Sequence, residues 1–109
     1  MIIYLVRHGE SEANIANYYQ GQLNTHLTSV GVEQAKKLSQ RFKNIDDFEI
    51  IYSSDLKRAY DTAKEIHKFH EDKTIISTEL LRERNLGEFH GKDKSTQRWD
   101  DLEEKNLYL

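Results

Sequence analysis

Three short runs of β-forming residues alternate with two segments of helical period, and this alternation limits what the chain can fold into more than any other feature. Ile2 to Val6 is a continuous apolar run, the pattern of a strand buried on both faces, and it reads as central and parallel. Gly31, Ala35, Leu38 and Phe42 recur at helical spacing, with small residues at the start of the stripe suited to close packing. Thr28 precedes them as an N-cap. Glu33, Lys37 and Arg41 form the opposite face, with Glu33 and Lys37 as an i,i+4 pair, and the helix fades by Asn44. Phe48 to Tyr52 is the second strand. It ends in Ser53-Ser54-Asp55, where Ser54 or Asp55 can cap a helix whose apolar face is Leu56, Ala59, Ala63 and Ile66. Thr74 to Ser77 is the third strand, and Ser95 or Thr96 starts a last short helix. Residues 11–27 show no steady period, and Gln20-Gly21-Gln22 reads as a turn. Strands alternating with helices predict a parallel sheet of the α/β class. Ligands of such sheets bind at the C-terminal ends of the strands.

Composition narrows the function. The chain has 109 residues, the length of one domain. With 16 Lys and Arg against 19 Asp and Glu, its net charge of −3 argues against a general nucleic-acid binder. The absence of cysteine excludes disulfides and thiolate metal sites. No stretch approaches the ~18 apolar residues of a membrane span, and the N-terminal run is too short, with no basic residues before it, for a secretion signal. A reducing, cytoplasmic location with neither membrane nor nucleic acid as partner is the expectation.

Three places could carry chemistry. Arg7-His8-Gly9-Glu10 follows the first strand directly. Gly9 there permits a sharp turn and close approach of a ligand to the backbone. Neutral imidazole is a nucleophile near neutral pH, and Arg7 offers a planar fork of donors matched to phosphate. Arg58 lies in the first turns of the second helix, where a cation opposes the helix dipole unless an anion is bound. Lys57 beside it reads as outer charge. Glu83, between Arg82 and Arg84, could serve as a general acid. Each also has an ordinary reading: a surface histidine, a solvated arginine, a glutamate paired to an arginine. His26, His67, His70 and His90 read as solvent-facing or loop residues.

The pieces gain meaning together. Arg7-His8-Gly9-Glu10-Ser11-Glu12-Ala13-Asn14 resembles the signature of the histidine phosphatase superfamily, the phosphoglycerate-mutase-like enzymes. Gln20-Gly21 and the run Leu27 to Ala35 resemble its next block, Ser53 to Ala63 its third, and Leu81 to Gly91 its fourth. The four blocks stand in order and cover almost the whole chain. The resemblance implies an α/β three-layer sandwich with a mostly parallel sheet, phosphoglycerate-mutase-like. It implies that His8 attacks phosphorus to form a phosphohistidine, that Arg7 and Arg58 hold the phosphoryl oxygens, and that Glu83 protonates the leaving oxygen. Asn14 matches a position that touches the phosphate; Gln20, Gly21 and Gln22 match a loop at the pocket mouth; Ser11 belongs to the same wall. No cofactor and no metal is implied, because the arginines supply the charge. The implied ligand is a phosphorylated small molecule, or phosphate or sulfate in the pocket.

The chain also departs from the family. Asn24 and His26 stand where the family often has Asp and Pro. The family's second active-site histidine, followed by glycine, has no match after Gly91. The expectation is therefore that residues 1–109 are the N-terminal part of a single, truncated domain whose exposed sheet edge favours a homodimer, with at best low activity. A phosphomonoesterase is the leading reading, because Arg84-Asn85-Leu86-Gly87 departs from the run typical of mutases. The alternatives are a phosphoglycerate mutase and a non-catalytic phosphate-binding or interaction remnant.

Overall fold

The structure, a computed structural model, describes residues 1–17 and 21–83. The expected last helix, Gln20 and His90 lie outside the described residues. In chain order the elements are α1 (Glu12–Ala16), α2 (Ser29–Phe42), β1 (Ile50–Ser54), α3 (Lys57–His67), β2 (Thr74–Thr78) and a 3-10 turn (Glu79–Leu81). β1 and β2 pair in parallel, Ile50 opposite Thr74 and Ser54 opposite Thr78. α3 is the crossover between them and packs against both α2 and β1. The result is a mixed α/β fold with a small parallel sheet flanked by helices, the class the alternating pattern predicts.

α2 forms where the period places it. Thr28 caps it, its hydroxyl accepting from the Gly31 amide at 3.0 Å, and Gly31, Ala35 and Ser39 are its buried positions. Glu33 pairs with Lys36 at 3.6 Å rather than with Lys37. α3 buries Arg58, Thr62, Ala63 and Ile66, so its inner face carries polar groups as well as apolar ones. Its N-cap is Leu56, not Ser54 or Asp55; Ser54 acts one step earlier, its hydroxyl accepting from the Leu56 amide at 3.2 Å. β1 starts later than expected because Phe48 turns into an aromatic cluster with Phe42 and His70. His70 is buried, not solvent-facing: its Nε2 donates to the Phe42 carbonyl at 2.6 Å, which ties the end of α3 to the end of α2.

The first strand is the main correction. Residues 2–6 belong to no sheet, and Leu5 is 93% exposed. An apolar run becomes a strand only where another strand completes its ladder. Among the described residues the only sheet is the β1–β2 pair. Tyr4 instead anchors the run, its hydroxyl donating to Asp47 at 2.9 Å and its ring meeting Phe42 edge-on. The short α1, which lacks the length to show a period, ends at Asn17 in the left-handed region (φ 57°).

The loop after residue 6 sits on the start of α2. An isolated antiparallel bridge joins Ser11 to Leu27, and the Thr28 amide donates to the Glu10 carbonyl at 2.9 Å. Gly9 does not supply a left-handed turn. It supplies space: a methyl group there would overlap the Gly31 carbonyl, and one on Gly31 would overlap the Glu10 carbonyl. Overpacking of this kind costs ~1–3 kcal/mol. Gly31→Ala is expected to lower stability by about that amount in chemical unfolding, whereas Gln40→Ala on the exposed face should stay within ~0.5 kcal/mol.

Candidate functional site

His8 leaves the extended N-terminal run and is held from both sides. The Gly9 amide donates to Thr62 Oγ1 at 3.1 Å, and the Thr62 hydroxyl donates to the Arg58 carbonyl at 2.7 Å. The Glu10 amide donates to Gln34 Oε1 at 2.8 Å. The backbone around the histidine is thereby fastened to α2 and α3. The His8 ring makes a 2.7 Å contact from Nδ1 to the Gly9 carbonyl. A carbonyl oxygen only accepts, so Nδ1 carries the proton and Nε2 keeps the lone pair.

Nε2 faces Glu83, with Oε1 at 3.9 Å. The other oxygen of the same carboxylate lies 3.7 Å from Arg58 Nη2. Arg58 is buried, 1% exposed. Its Nη2 also donates to the Gly21 carbonyl at 2.6 Å, and its Nη1 to the Leu23 carbonyl. Gly21 has φ of 49°, a left-handed geometry that suits glycine. Gln22 then donates from Nε2 to the Glu83 carbonyl at 3.2 Å. The loop at 21–23 therefore wraps one guanidinium and touches the backbone of the carboxylate that faces it.

Of the residues expected to act together, His8, Arg58 and Glu83 meet, with Gly21 and Gln22 beside them. Arg58 follows β1 and Glu83 follows β2, so both come from the C-terminal ends of the parallel strands. Arg7 is exposed and lines, with His8, Gln34, Lys37, Leu38 and Arg41, a groove of about 340 Å³ that does not include Arg58 or Glu83. Asn14 reaches back to the start of α1, its Oδ1 accepting from the Ser11 amide at 2.9 Å, and Ser11 is fully buried. Thr62, Gln34 and the pair formed by Arg82 and Asp55, in which Arg82 Nε donates to Asp55 Oδ1 at 2.7 Å, are not among the residues the sequence singles out for this site. Thr62 was the most accessible, since it stands one helical turn after Arg58.

Burial is the main force on the His8 imidazole and holds its pKa below the ordinary value; the Gly9 carbonyl opposes this, Arg58 adds to it, Glu83 opposes it and Arg7 adds to it. The neutral ring with a free Nε2 is thus the favoured form at neutral pH. Burial also lowers the Arg58 pKa, against the pull of Glu83, yet an arginine keeps its charge in proteins. The arrangement offers a nucleophilic nitrogen, a fixed cation and a carboxylate able to move a proton. Among the described residues no group of three or more His, Cys, Asp or Glu could hold a metal ion, and no helix is long and apolar enough to cross a membrane.

Comparison with known proteins places these residues in context. The profile of the Histidine phosphatase superfamily (branch 1) matches residues 3–107. The chain is 42% identical over 89 residues to the metal-independent phosphoserine phosphatase of Arabidopsis thaliana, covering 82% of this chain and 37% of that protein. It is 37% identical over 102 residues to the 2,3-bisphosphoglycerate-dependent phosphoglycerate mutase of Bartonella henselae, covering 89% of this chain and 50% of the mutase. The structure matches that of a phosphoserine phosphatase from Entamoeba histolytica, solved with 3-phosphoglyceric acid, at a TM-score of 0.71 and 36% identity, over 82% of this chain and 43% of that one. The chain thus spans half or less of the length of these relatives.

The His8 environment gives a signed expectation. The unfolded chain takes up a proton near pH ~6.5, whereas folded His8 resists protonation to a lower pH. This contribution to stability is present above ~6.5 and is lost as pH falls through the folded pKa. An NMR titration of the His8 ring should show a midpoint below ~6.5, and His8→Gln should flatten the acid limb of stability against pH. A midpoint at or above the free value would remove the electrostatic basis for a neutral nucleophile.

Proposed function

We propose that this chain, which belongs to the histidine phosphatase superfamily, carries the nucleophile and proton-donor side of a phosphomonoesterase acting on a small phosphorylated metabolite. One observation supports this above the rest: a single carboxylate, Glu83, stands between the free Nε2 of His8 and the buried guanidinium of Arg58. With substrate bound and Glu83 in its protonated form, Nε2 attacks phosphorus, the phosphorus–oxygen ester bond breaks, and the Glu83 carboxyl gives its proton to the departing alkoxide, becoming a carboxylate. A phosphohistidine results. Water then attacks the phosphorus, giving its proton to Glu83, and phosphate leaves as Nε2 recovers its lone pair. Splitting the reaction into two displacements lowers the difficulty of each. Arg7 and Arg58 balance charge on the equatorial oxygens, the main requirement of phosphoryl transfer. Two of the five N–H donors of Arg58 are engaged by Gly21 and Leu23, which leaves the others for phosphate. In this scheme the positive charge comes from arginine, without a metal. Gly21 and Gln22, beside Arg58 and Glu83, are assigned to the pocket mouth; Asn14 and Ser11 are assigned to the phosphate side by resemblance alone, since they bond to each other at the start of α1.

The names of the relatives make serine phosphate and 3-phosphoglycerate the first compounds to test. His8→Ala is expected to abolish the phosphoenzyme. Glu83→Gln should slow release of a poor alkoxide leaving group by ~10²–10⁴ and that of a nitrophenolate far less, because nitrophenolate departs without a proton. Equal losses with both would overturn the proton-donor role. Transfer of the phosphoryl group between carbons faster than its release would replace hydrolysis by a mutase reaction. Phosphate binding with no phosphoenzyme would leave a binding role.

A second copy of the chain is the partner the surface favours. Ile2, Ile3, Leu5, Ile50 and Tyr52 are all exposed, and unpaired β-forming backbone with apolar side chains invites pairing. Sedimentation across a dilution series, read beside thermal melts, should show a dimer whose melting temperature rises with concentration. A monomer with a flat melting temperature would remove this partner.

A further inference from the structure

Glu83 is half exposed and follows a 3-10 turn whose leucines, Leu80 and Leu81, face solvent. Apolar packing by those leucines therefore does not hold this segment in place. The residue before it supplies a directed side-chain contact. Arg82 Nε donates to Asp55 Oδ1 at 2.7 Å, and its Nη2 to Oδ2 at 2.6 Å. Two parallel charge-assisted bonds fix direction as well as distance, unlike a single-contact surface pair. Asp55 sits in the turn between β1 and α3, three residues before Arg58. The fork thus ties the neighbour of Glu83 to the same turn that launches Arg58. Gln22 closes the circuit from the other side, through the Glu83 carbonyl and the loop that wraps the guanidinium.

We propose that Asp55 and Arg82 are a positioning pair that sets the Glu83 carboxylate between His8 and Arg58 without touching substrate. The proposal rests on the reading of Glu83 as proton donor for its catalytic consequence, but the geometry it describes exists without turnover. Lysine cannot replace Arg82 here, because an ammonium is a single rotatable point and cannot make the fork. Loss of the fork leaves the Glu83 backbone with the single Gln22 bond among the described side-chain contacts, and its carboxylate with only the longer approaches to His8 and Arg58.

The test reads the His8 titration by NMR in the chain as it stands. Arg7, Arg58 and Glu83 are the charges that act on that ring. Glu83→Gln should lower the His8 midpoint, since it removes the carboxylate that favours the imidazolium. Arg82→Lys keeps the charge and should lower the midpoint in the same direction, with no further effect when added to Glu83→Gln. Asp55→Asn should act likewise, so the test survives if one variant fails to fold, and the swap Asp55→Arg with Arg82→Asp should restore the starting midpoint. An unmoved midpoint in folded Arg82→Lys and Asp55→Asn would overturn the positioning role while leaving the Glu83 chemistry intact. An unmoved midpoint in Glu83→Gln would overturn it too, because no carboxylate would then sit at His8. If the titrations behave as expected but Glu83→Gln slows both kinds of leaving group equally, the pair stands and the proton-donor reading falls.

Discussion

The burial of one guanidinium organises the site. A charge removed from water costs several kcal/mol unless it is paired and its donors are satisfied, and Arg58 is almost wholly enclosed. That demand recruits the carbonyls of Gly21 and Leu23 and the carboxylate of Glu83. Gly21 must then adopt a left-handed conformation, and the loop must cross the start of α3. There Asn24 meets the Lys57 amide at 2.8 Å. A helix that would otherwise begin with an unfavourable cation begins instead with a cation surrounded by oxygen.

His8 depends on the same helix one turn later. Thr62 receives the Gly9 amide and donates to the Arg58 carbonyl, so His8 and Arg58 are referenced to a single rigid element. The close approach of Gly9 to Gly31 sets the other coordinate. Between these two contacts the imidazole is confined in a partly dry position, and its neutrality follows from that confinement. Glu83 then serves both neighbours: it compensates Arg58 and tempers the burial of His8.

His8, Arg58 and Glu83, which the structure brings together, stand out in the sequence through local signals that only the family resemblance joins. A histidine directly after a β-forming run, an arginine opening a helix and a glutamate after a strand each follow from short-range pattern, as does Thr28 as a cap. What escaped depends on partners distant in sequence. The run at 2–6 has every intrinsic mark of a strand, but strand formation is a property of two chains of backbone, and no described neighbour pairs with it. His70 lies in a polar stretch, yet Phe42 and Phe48 enclose it from segments more than twenty residues away. At Gly9 the sequence suggests a sharp turn and close approach of a ligand, the usual uses of glycine. Its actual use, space for another glycine, is visible only when α2 is folded against it.

The described interior is small and unusually polar. Its buried apolar side chains are Ala13, Ala35, Leu56, Ala63 and Ile66, whereas Ser11, Ser39, Ser53, Ser54, Arg58, Thr62 and His70 are buried polar ones. No buried side-chain nitrogen or oxygen among the described residues lacks a hydrogen-bond partner. Hydrogen bonds are directional and short in range, whereas apolar packing tolerates sliding. A site stitched by such bonds holds its angles only while each link is intact. Several large apolar side chains meanwhile lie exposed, along 2–6 and on Ile50 and Tyr52. The division has a physical consequence: among the described residues the geometry of the site is set by directed polar contacts, while these exposed apolar side chains contribute little of the hydrophobic free energy that burial would supply.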